Sequence, residues 1–160
     1  MIDKFVLDVD GVLNTGHKIY DSRGKAFKVF GPHDKDGLKL IARYVPSIIF
    51  ISADSSGWDI TSARIIKDWK YSPEQLVLVS EENRKEWFYE NCDLDKTAFM
   101  GDGYFDAAIL SMVKIGICPS SGRIEAKAAA DYITPSRAGE GAVLDACLYL
   151  INMIDSDARV

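Results

Sequence analysis

Two aspartates one residue apart, Asp8 and Asp10, close the apolar run of KFVLDVDGVLN at residues 4–14. Phe5, Val6 and Leu7 read as a buried strand, and Gly11 marks the turn out of it. Alternate residues of a strand share a face, so the two carboxylates start on one side until the turn re-aims the second. Like charges this close need a shared proton, hydrogen bonding or a metal cation, and a divalent cation is the simplest remedy. The competing reading is a pair that only caps a turn. A second acidic pair, Asp102 and Asp106 of MGDGYFDA, follows another short apolar run, and two acidic strand ends suggest one shared cation.

That grouping suits phosphoryl transfer. A carboxylate at a strand end can attack phosphorus and form an aspartyl phosphate, which makes Asp8 the expected nucleophile. Asp10 would protonate the leaving oxygen and later deprotonate the attacking water. Asp102 would bind the cation, and an all-oxygen site facing phosphate favours Mg²⁺. Asp106 would reach the ion or orient a ligand water, the indirect role being favoured. Ser52 would donate its hydroxyl to a phosphoryl oxygen, against the plainer role of ending a strand or capping the next helix. Lys85, at a helix start, would neutralise the phosphoryl group, with Arg84 beside it as the alternative and an ordinary exposed lysine as the plain reading. His17 and His33 are isolated and receive no catalytic role.

The elements that must carry these residues follow from periodicity. After the first strand, KIYDSRGKAFKVF within residues 15–31 reads as a small β-hairpin, and the bland role of its Lys18, Arg23, Lys25 and Lys28 is a solvated face. Within 33–45, Leu38, Ile41, Ala42 and Val45 have helical spacing, with Pro46 as a stop. SIIFIS (47–52) is a second buried strand, with a helical face of Trp58, Ser62, Ile65, Ile66 and Trp69 behind it. LVLV (76–79), TAFM (97–100), IGIC (115–118) and DYIT (131–134) continue the strands, and RKEWFYEN, a segment around Phe105–Val113, 123–130 and 140–154 the helices. The alternation predicts an α/β fold, a Rossmann-like, mainly parallel sheet with helices on both faces and a hairpin insertion after the first strand. In such sheets the reactive crevice lies beyond the carboxyl ends of the strands, where Asp8, Ser52, Lys85 and Asp102 can meet.

Composition agrees and excludes other classes. A chain of 160 residues, 48% apolar and 27% charged, is expected to form a single domain over 1–160. A net charge of -5 without a dense basic run disfavours nucleic acid and leaves a small phosphate-bearing substrate as the expected partner. Three scattered cysteines, Cys92, Cys118 and Cys147, argue against a disulfide framework or a zinc site. Acidic residues interrupt the N-terminal region and the apolar stretch 142–151, so neither a signal peptide nor a membrane span is expected, and the cytoplasm fits best.

Taken in order, LDVDGVLN, SIIFISAD, the basic Arg84/Lys85 and MGDGYFD resemble the four motifs of the haloacid dehalogenase superfamily of phosphatases. KVFGPHDKDGLKLI and ADYITPSRAGEGAVLDA are also similar to segments of 3-deoxy-D-manno-octulosonate 8-phosphate phosphatases, so the resemblance covers most of the chain. It implies Mg²⁺ and a sugar-acid phosphate. It also implies Asp8 as nucleophile, Asp10 as acid/base through its side chain and metal ligand through its carbonyl, and Asp102 as third metal contact. That subfamily lacks a cap domain and forms a tetramer whose hairpins meet, which implies a homotetramer here; apolar Ile19, Tyr20, Phe27, Val29 and Phe30 suit such an interface. The family's Gly-Arg after the second-motif hydroxyl is replaced by Ala53 and Asp54, and arginines of its C-terminal segment by Glu140 and Leu144. These departures leave a nonulosonate 9-phosphate or another sugar phosphate open as substrate. Two other classes remain: a receiver-like signalling domain, whose phosphorylated Asp would follow a later strand, and a catalytically silent sugar-phosphate binder, which would usually lack one of the carboxylates.

Overall fold

The computed structural model describes residues 1–157. The first strand, β1 (Lys4–Asp8), runs into the hairpin β2 (Asn14–Asp21) and β3 (Gly24–Phe30), then helix α1 (Asp34–Ile41) and strand β4 (Ser47–Ser52). Helix α2 (Trp58–Ser62) widens into a π-helical stretch over Ala63–Asp68, where the Trp69 amide reaches back five residues to the Arg64 carbonyl at 3.0 Å. There follow β5 (Leu76–Leu78), α3 (Arg84–Asn91), β6 (Thr97–Met100), α4 (Asp106–Leu110), β7 (Ile115–Cys118), α5 (Ile124–Ala129), β8 (Tyr132–Ile133) and α6 (Ala142–Asp157).

Six strands form one sheet in the order β5-β4-β1-β6-β7-β8, every pairing parallel, and β2 with β3 form a separate antiparallel pair. Strand β1 is central because it is apolar on both faces. Phe5 and Leu7 join the layer of α1 and α6, with Leu38, Ile41, Val143 and Leu150, whereas Val6 joins Phe88, Phe99 and Ile109 on the other side. Phe88 meets Phe99 edge to face at 4.9 Å between centroids. Each fully buried large apolar side chain contributes about 1.5–3 kcal/mol, so these two layers hold the sheet rigid beneath the strand tips. Cys92, Cys118 and Cys147 are all free thiols.

The expected α/β architecture is therefore present, with two adjustments. The helices expected over 33–45 and around 105–113 are shorter than periodicity suggested, ending at Ile41 and Leu110. The hairpin is also inside out. Phe27 and Val29 are exposed while the Lys28 side chain between them is wholly buried, so the charged face expected to be solvated turns toward the sheet. Ile19 and Tyr20 are exposed as well, whereas Phe30 packs against the main core and so leaves the outward apolar face. Among the described residues, no helix is long and apolar enough to cross a membrane.

Candidate active site

The parallel order places the tips of β4 and β6 on either side of β1, which brings Asp8, Ser52 and Asp102 to one rim although they are far apart in sequence. After Asp8 the chain coils tightly: the amides of Val12, Leu13 and Asn14 all turn back to the Val9 carbonyl. Gly11 sits in this coil with φ +88°, a left-handed conformation that glycine adopts without cost. A Cβ there would lie 2.2 Å from Asp102 Oδ2, so the absent side chain is what lets the second strand tip approach the first.

Oxygens of Asp8, Asp102 and Asp106 lie within 4.8 Å of one another. Asp8 and Asp106 are buried, and Asp102 is partly so. Burial, only partly opposed by the Arg84 guanidinium, raises the Asp8 carboxyl well above its ordinary range, with Asp106, Asp102 and Asp10 adding repulsion. Burial and then Asp106 push Asp102 up to about 7. An excess of negative charge among oxygen-only donors is the donor set of a hard divalent cation, and such an ion would relieve the repulsion. Asp106 is also fixed independently: its Oδ2 accepts from the amides of Asp102 at 3.1 Å and Gly103 at 2.9 Å, and its Oδ1 from Arg84 Nη1 at 2.6 Å.

Arg84, the first residue of α3, is buried, with Nη2 of its guanidinium 3.3 Å from Asp8 Oδ1. Burial works against its charge, but the carboxylates of Asp8 and Asp106 outweigh it and raise its pKa further. Lys85, the expected phosphate-neutralising cation, is not brought to the site. It is exposed and sits over the Tyr89 ring at 5.9 Å. Successive helical residues diverge by about 100° around the axis, so only one of the two can face the pocket, and it is Arg84.

The Asp10 carboxylate is gripped by three donors. Asn14 Nδ2 reaches Oδ1 at 2.9 Å, Ser52 Oγ reaches Oδ2 at 3.2 Å, and Lys28 Nζ lies 2.9 Å from Oδ1 and 3.1 Å from Oδ2. Ser52 is fully buried and also accepts from the Asp54 amide at 3.1 Å, so it both supports Asp10 and shapes the turn after β4. Lys25 and Lys28 both pair with Asp54, and although burial disfavours the Asp54 carboxylate, these two cations hold its pKa well below the usual range. Arg23 and Lys18 are the hairpin cations that face solvent, Lys18 with its ammonium 3.9 Å from Asp54. His17 and His33 are exposed and apart from this cluster.

Above these groups opens a pocket of about 520 Å³, lined by Asp8, Asp10, Arg84, Asp102 and Asp106 at its base and by Lys18, Asp54, Glu81, Glu82 and Phe105 toward its mouth. A carboxylate facing an arginine beside an acidic cluster, with a second carboxylate held nearby, can perform nucleophilic attack on phosphorus with charge neutralisation and proton transfer. Nothing in the sequence pattern declares the parts played by Asn14 and Lys28, and it leaves Arg84 as an alternative to Lys85.

Residues 84–146 match the family model described as haloacid dehalogenase-like hydrolase. No curated protein matches the chain in sequence. Among solved structures, 3-deoxy-D-manno-octulosonate 8-phosphate phosphatase from Moraxella catarrhalis, in complex with magnesium ion, phosphate ion and a KDO molecule, is 25% identical, with a TM-score of 0.77 over 99% of this chain and 92% of that one. The cobalt-bound deoxy-D-mannose-octulosonate 8-phosphate phosphatase of Haemophilus influenzae has a TM-score of 0.79 at 23% identity, covering 96% of this chain and 90% of the other. The 3-deoxy-D-manno-octulosonate 8-phosphate phosphatase of Yersinia pestis has a TM-score of 0.78 at 20% identity, covering 96% and 83%. The likeness to the last two speaks for the fold.

Proposed function

We propose that this chain, a haloacid dehalogenase-like hydrolase and a phosphatase, is a magnesium-dependent phosphomonoesterase that cleaves a sugar-acid phosphate through an aspartyl phosphate on Asp8. The observation that carries the reading is the pairing of buried Asp8 with buried Arg84 at the base of the pocket, 3.3 Å apart and beside the Asp102 and Asp106 carboxylates. Asp8 and Asp102 would hold Mg²⁺ directly, with the Asp10 carbonyl, and Asp106 would act mainly by fixing Arg84 and the Asp102 amide. The ion would supply charge neutralisation at the phosphoryl oxygens.

The residues divide the work as follows. A carboxylate oxygen of Asp8 attacks phosphorus in line while Arg84 balances the phosphoryl charge. Asp10, held by Asn14, Ser52 and Lys28, delivers a proton to the departing alkoxide, and then takes one from the water that attacks the aspartyl phosphate. The product alcohol and inorganic phosphate leave, and Asp8 is regenerated.

For the substrate, 3-deoxy-D-manno-octulosonate 8-phosphate or a nonulosonate 9-phosphate is favoured by the Moraxella structure at 25% identity and by Lys18, a cation toward the pocket mouth that can meet a carboxylate. Asp54 stands where the subfamily carries arginine, which removes a cationic partner for an anionic substrate and leaves a nonulosonate 9-phosphate or another sugar phosphate open beside the eight-carbon acid. The exposed Ile19, Tyr20, Phe27 and Val29 are consistent with a homotetramer built through the hairpins, and light scattering showing only monomer would remove that part.

A phosphate-release screen over sugar phosphates, including keto-sugar acids of eight and nine carbons, with and without Mg²⁺, tests the whole reading. Release from a sugar-acid phosphate that requires the ion is expected. No release from any phosphomonoester, or equal release after chelation, would overturn it.

A further inference from the structure

Lys28 is out of place for a hairpin strand. Its side chain has no solvent exposure, although its sequence neighbours Phe27 and Val29 are exposed. Burying an ammonium is costly unless every donor is matched. Here the ammonium donates to Asp10 Oδ2 at 3.1 Å and to the Thr61 hydroxyl at 2.8 Å, and it lies 2.9 Å from Asp10 Oδ1 and from Asp54 Oδ2, so two carboxylates and a hydroxyl surround the charge. Thr61 is itself fully buried on α2, so the hairpin, the helix behind β4 and the coil after β1 converge on one nitrogen.

The far side of Asp10 is fixed in a matching way. Asn14 accepts from the Gly11 amide at 3.1 Å and the Gly16 amide at 2.8 Å, which forces its NH₂ toward Asp10 Oδ1. Asn14 and Lys28 stand on the two strands at the base of the hairpin, since Asn14 opens β2 opposite Phe30 and Lys28 lies near the end of β3. The carboxylate is therefore oriented by the hairpin itself, and the Ser52 hydroxyl completes the set from the sheet.

We propose that Lys28 is a positioning residue, whose buried ammonium fixes the Asp10 carboxylate in the orientation needed to hand a proton to the leaving oxygen. The inference rests on the reading of Asp10 as the proton donor. A lysine that only pins the hairpin would support all chemistry equally, whereas one that orients a proton donor matters in proportion to how much the leaving group needs the proton. p-Nitrophenolate departs from phosphorus without one at neutral pH; an alkoxide does not.

The test compares kcat/KM for p-nitrophenyl phosphate and for glycerol phosphate in the magnesium-loaded wild type, Asp10→Asn and Lys28→Met. Lys28→Met is expected to lower the glycerol phosphate value by about 10- to 100-fold, with the p-nitrophenyl phosphate value falling by less than about threefold, a smaller copy of the Asp10→Asn pattern. If Lys28→Met does not fold, Lys28→Met/Asp54→Asn removes one of the two carboxylates that the single change leaves sharing Lys25 as the remaining buried cation, and it must show the same selectivity. Equal loss on both substrates, or no loss on either, with Asp10→Asn still selective, would overturn the role of Lys28 and leave that of Asp10 standing. Asp10→Asn without selectivity would overturn both.

Discussion

Replacing Gly11 by alanine probes the approach of the two acidic strand tips with one methyl group. Gly11 has φ +88°, where an L-residue costs about 1–2 kcal/mol, and its Cβ would lie 2.2 Å from Asp102 Oδ2, 2.4 Å from Cγ and 2.6 Å from Oδ1. Contacts between non-bonded heavy atoms relax near roughly 3.5 Å, so the Asp102 carboxylate must retreat by about 1 Å. A magnesium–oxygen bond of about 2.1 Å does not stretch that far, so Asp102 would lose its bond or force Asp8 to shift. Disturbing even an outer-shell partner of a metal ligand typically costs about 10- to 100-fold in affinity, so displacing Asp102 itself should raise the Mg²⁺ concentration for half-maximal phosphate release by at least about 10-fold. The backbone strain alone should lower Tm by about 2–8 °C. Phosphate release titrated with Mg²⁺, beside a thermal melt, separates the two effects. A folded Gly11→Ala enzyme with an unchanged Mg²⁺ requirement would refute the placement of the ion between these strand tips.

Other outcomes follow from the same geometry. Asp8→Asn should abolish turnover and Asp10→Asn should lower it by about 10² to 10⁴, measured on glycerol phosphate. Arg84→Met should cost about 10² to 10³ in kcat/KM while Lys85→Ala leaves it unchanged, because only the former faces Asp8; the reverse order would return the role to Lys85. Adding Mg²⁺ should raise Tm, by about 2.7 kcal/mol of stability at a hundredfold excess over Kd, since it relieves carboxylates that repel one another. Asp34 lies away from the site, buried with neither carboxylate oxygen hydrogen-bonded, and burial pushes its pKa up to about 7 from 3.8. The folded state therefore holds this proton more tightly than the unfolded one. The relative benefit is complete below pH 3.8 and is lost as pH rises through about 7. Asp34→Asn should gain stability most above pH 7, with a ceiling of about 4 kcal/mol from that difference, and little below pH 4. Urea unfolding at about pH 5 and about pH 8 checks it.

The strands and the strand-end carboxylates were legible because β1, β4 and β6 are short and apolar on both faces, β1 and β4 ending on Asp8 and Ser52 and β6 on Met100 just before Gly101 and Asp102, so pattern alone located these residues. The parallel topology then required their tips to meet. What escaped depended on rotation about an element. Choosing between Arg84 and Lys85 needs the phase of α3 to within one residue, which a helix of eight residues with charged groups on most sides does not declare. The hairpin alternates polar and apolar side chains as a half-buried strand does, but which face is inward is set by whether Asp10 and Asp54 or an apolar surface lies opposite. The two carboxylates won, and the apolar face was left outside. Asn14 carries no signal in the sequence because its role depends on two local backbone amides that only the folded coil supplies.

The central claim is that Asp8 carries phosphorus during turnover. Rapid acid quench of the magnesium-loaded Asp10→Asn enzyme with radiolabelled p-nitrophenyl phosphate, followed by peptide mapping, tests it directly, because that variant should form the phosphoenzyme from this substrate and hydrolyse it slowly. A hydroxylamine-labile phosphoryl group on the peptide containing Asp8 is the expected result, absent when Asp8 is also changed to Asn. Phosphate release with no label on that peptide at any quench time, or with the label on another residue, would contradict the account.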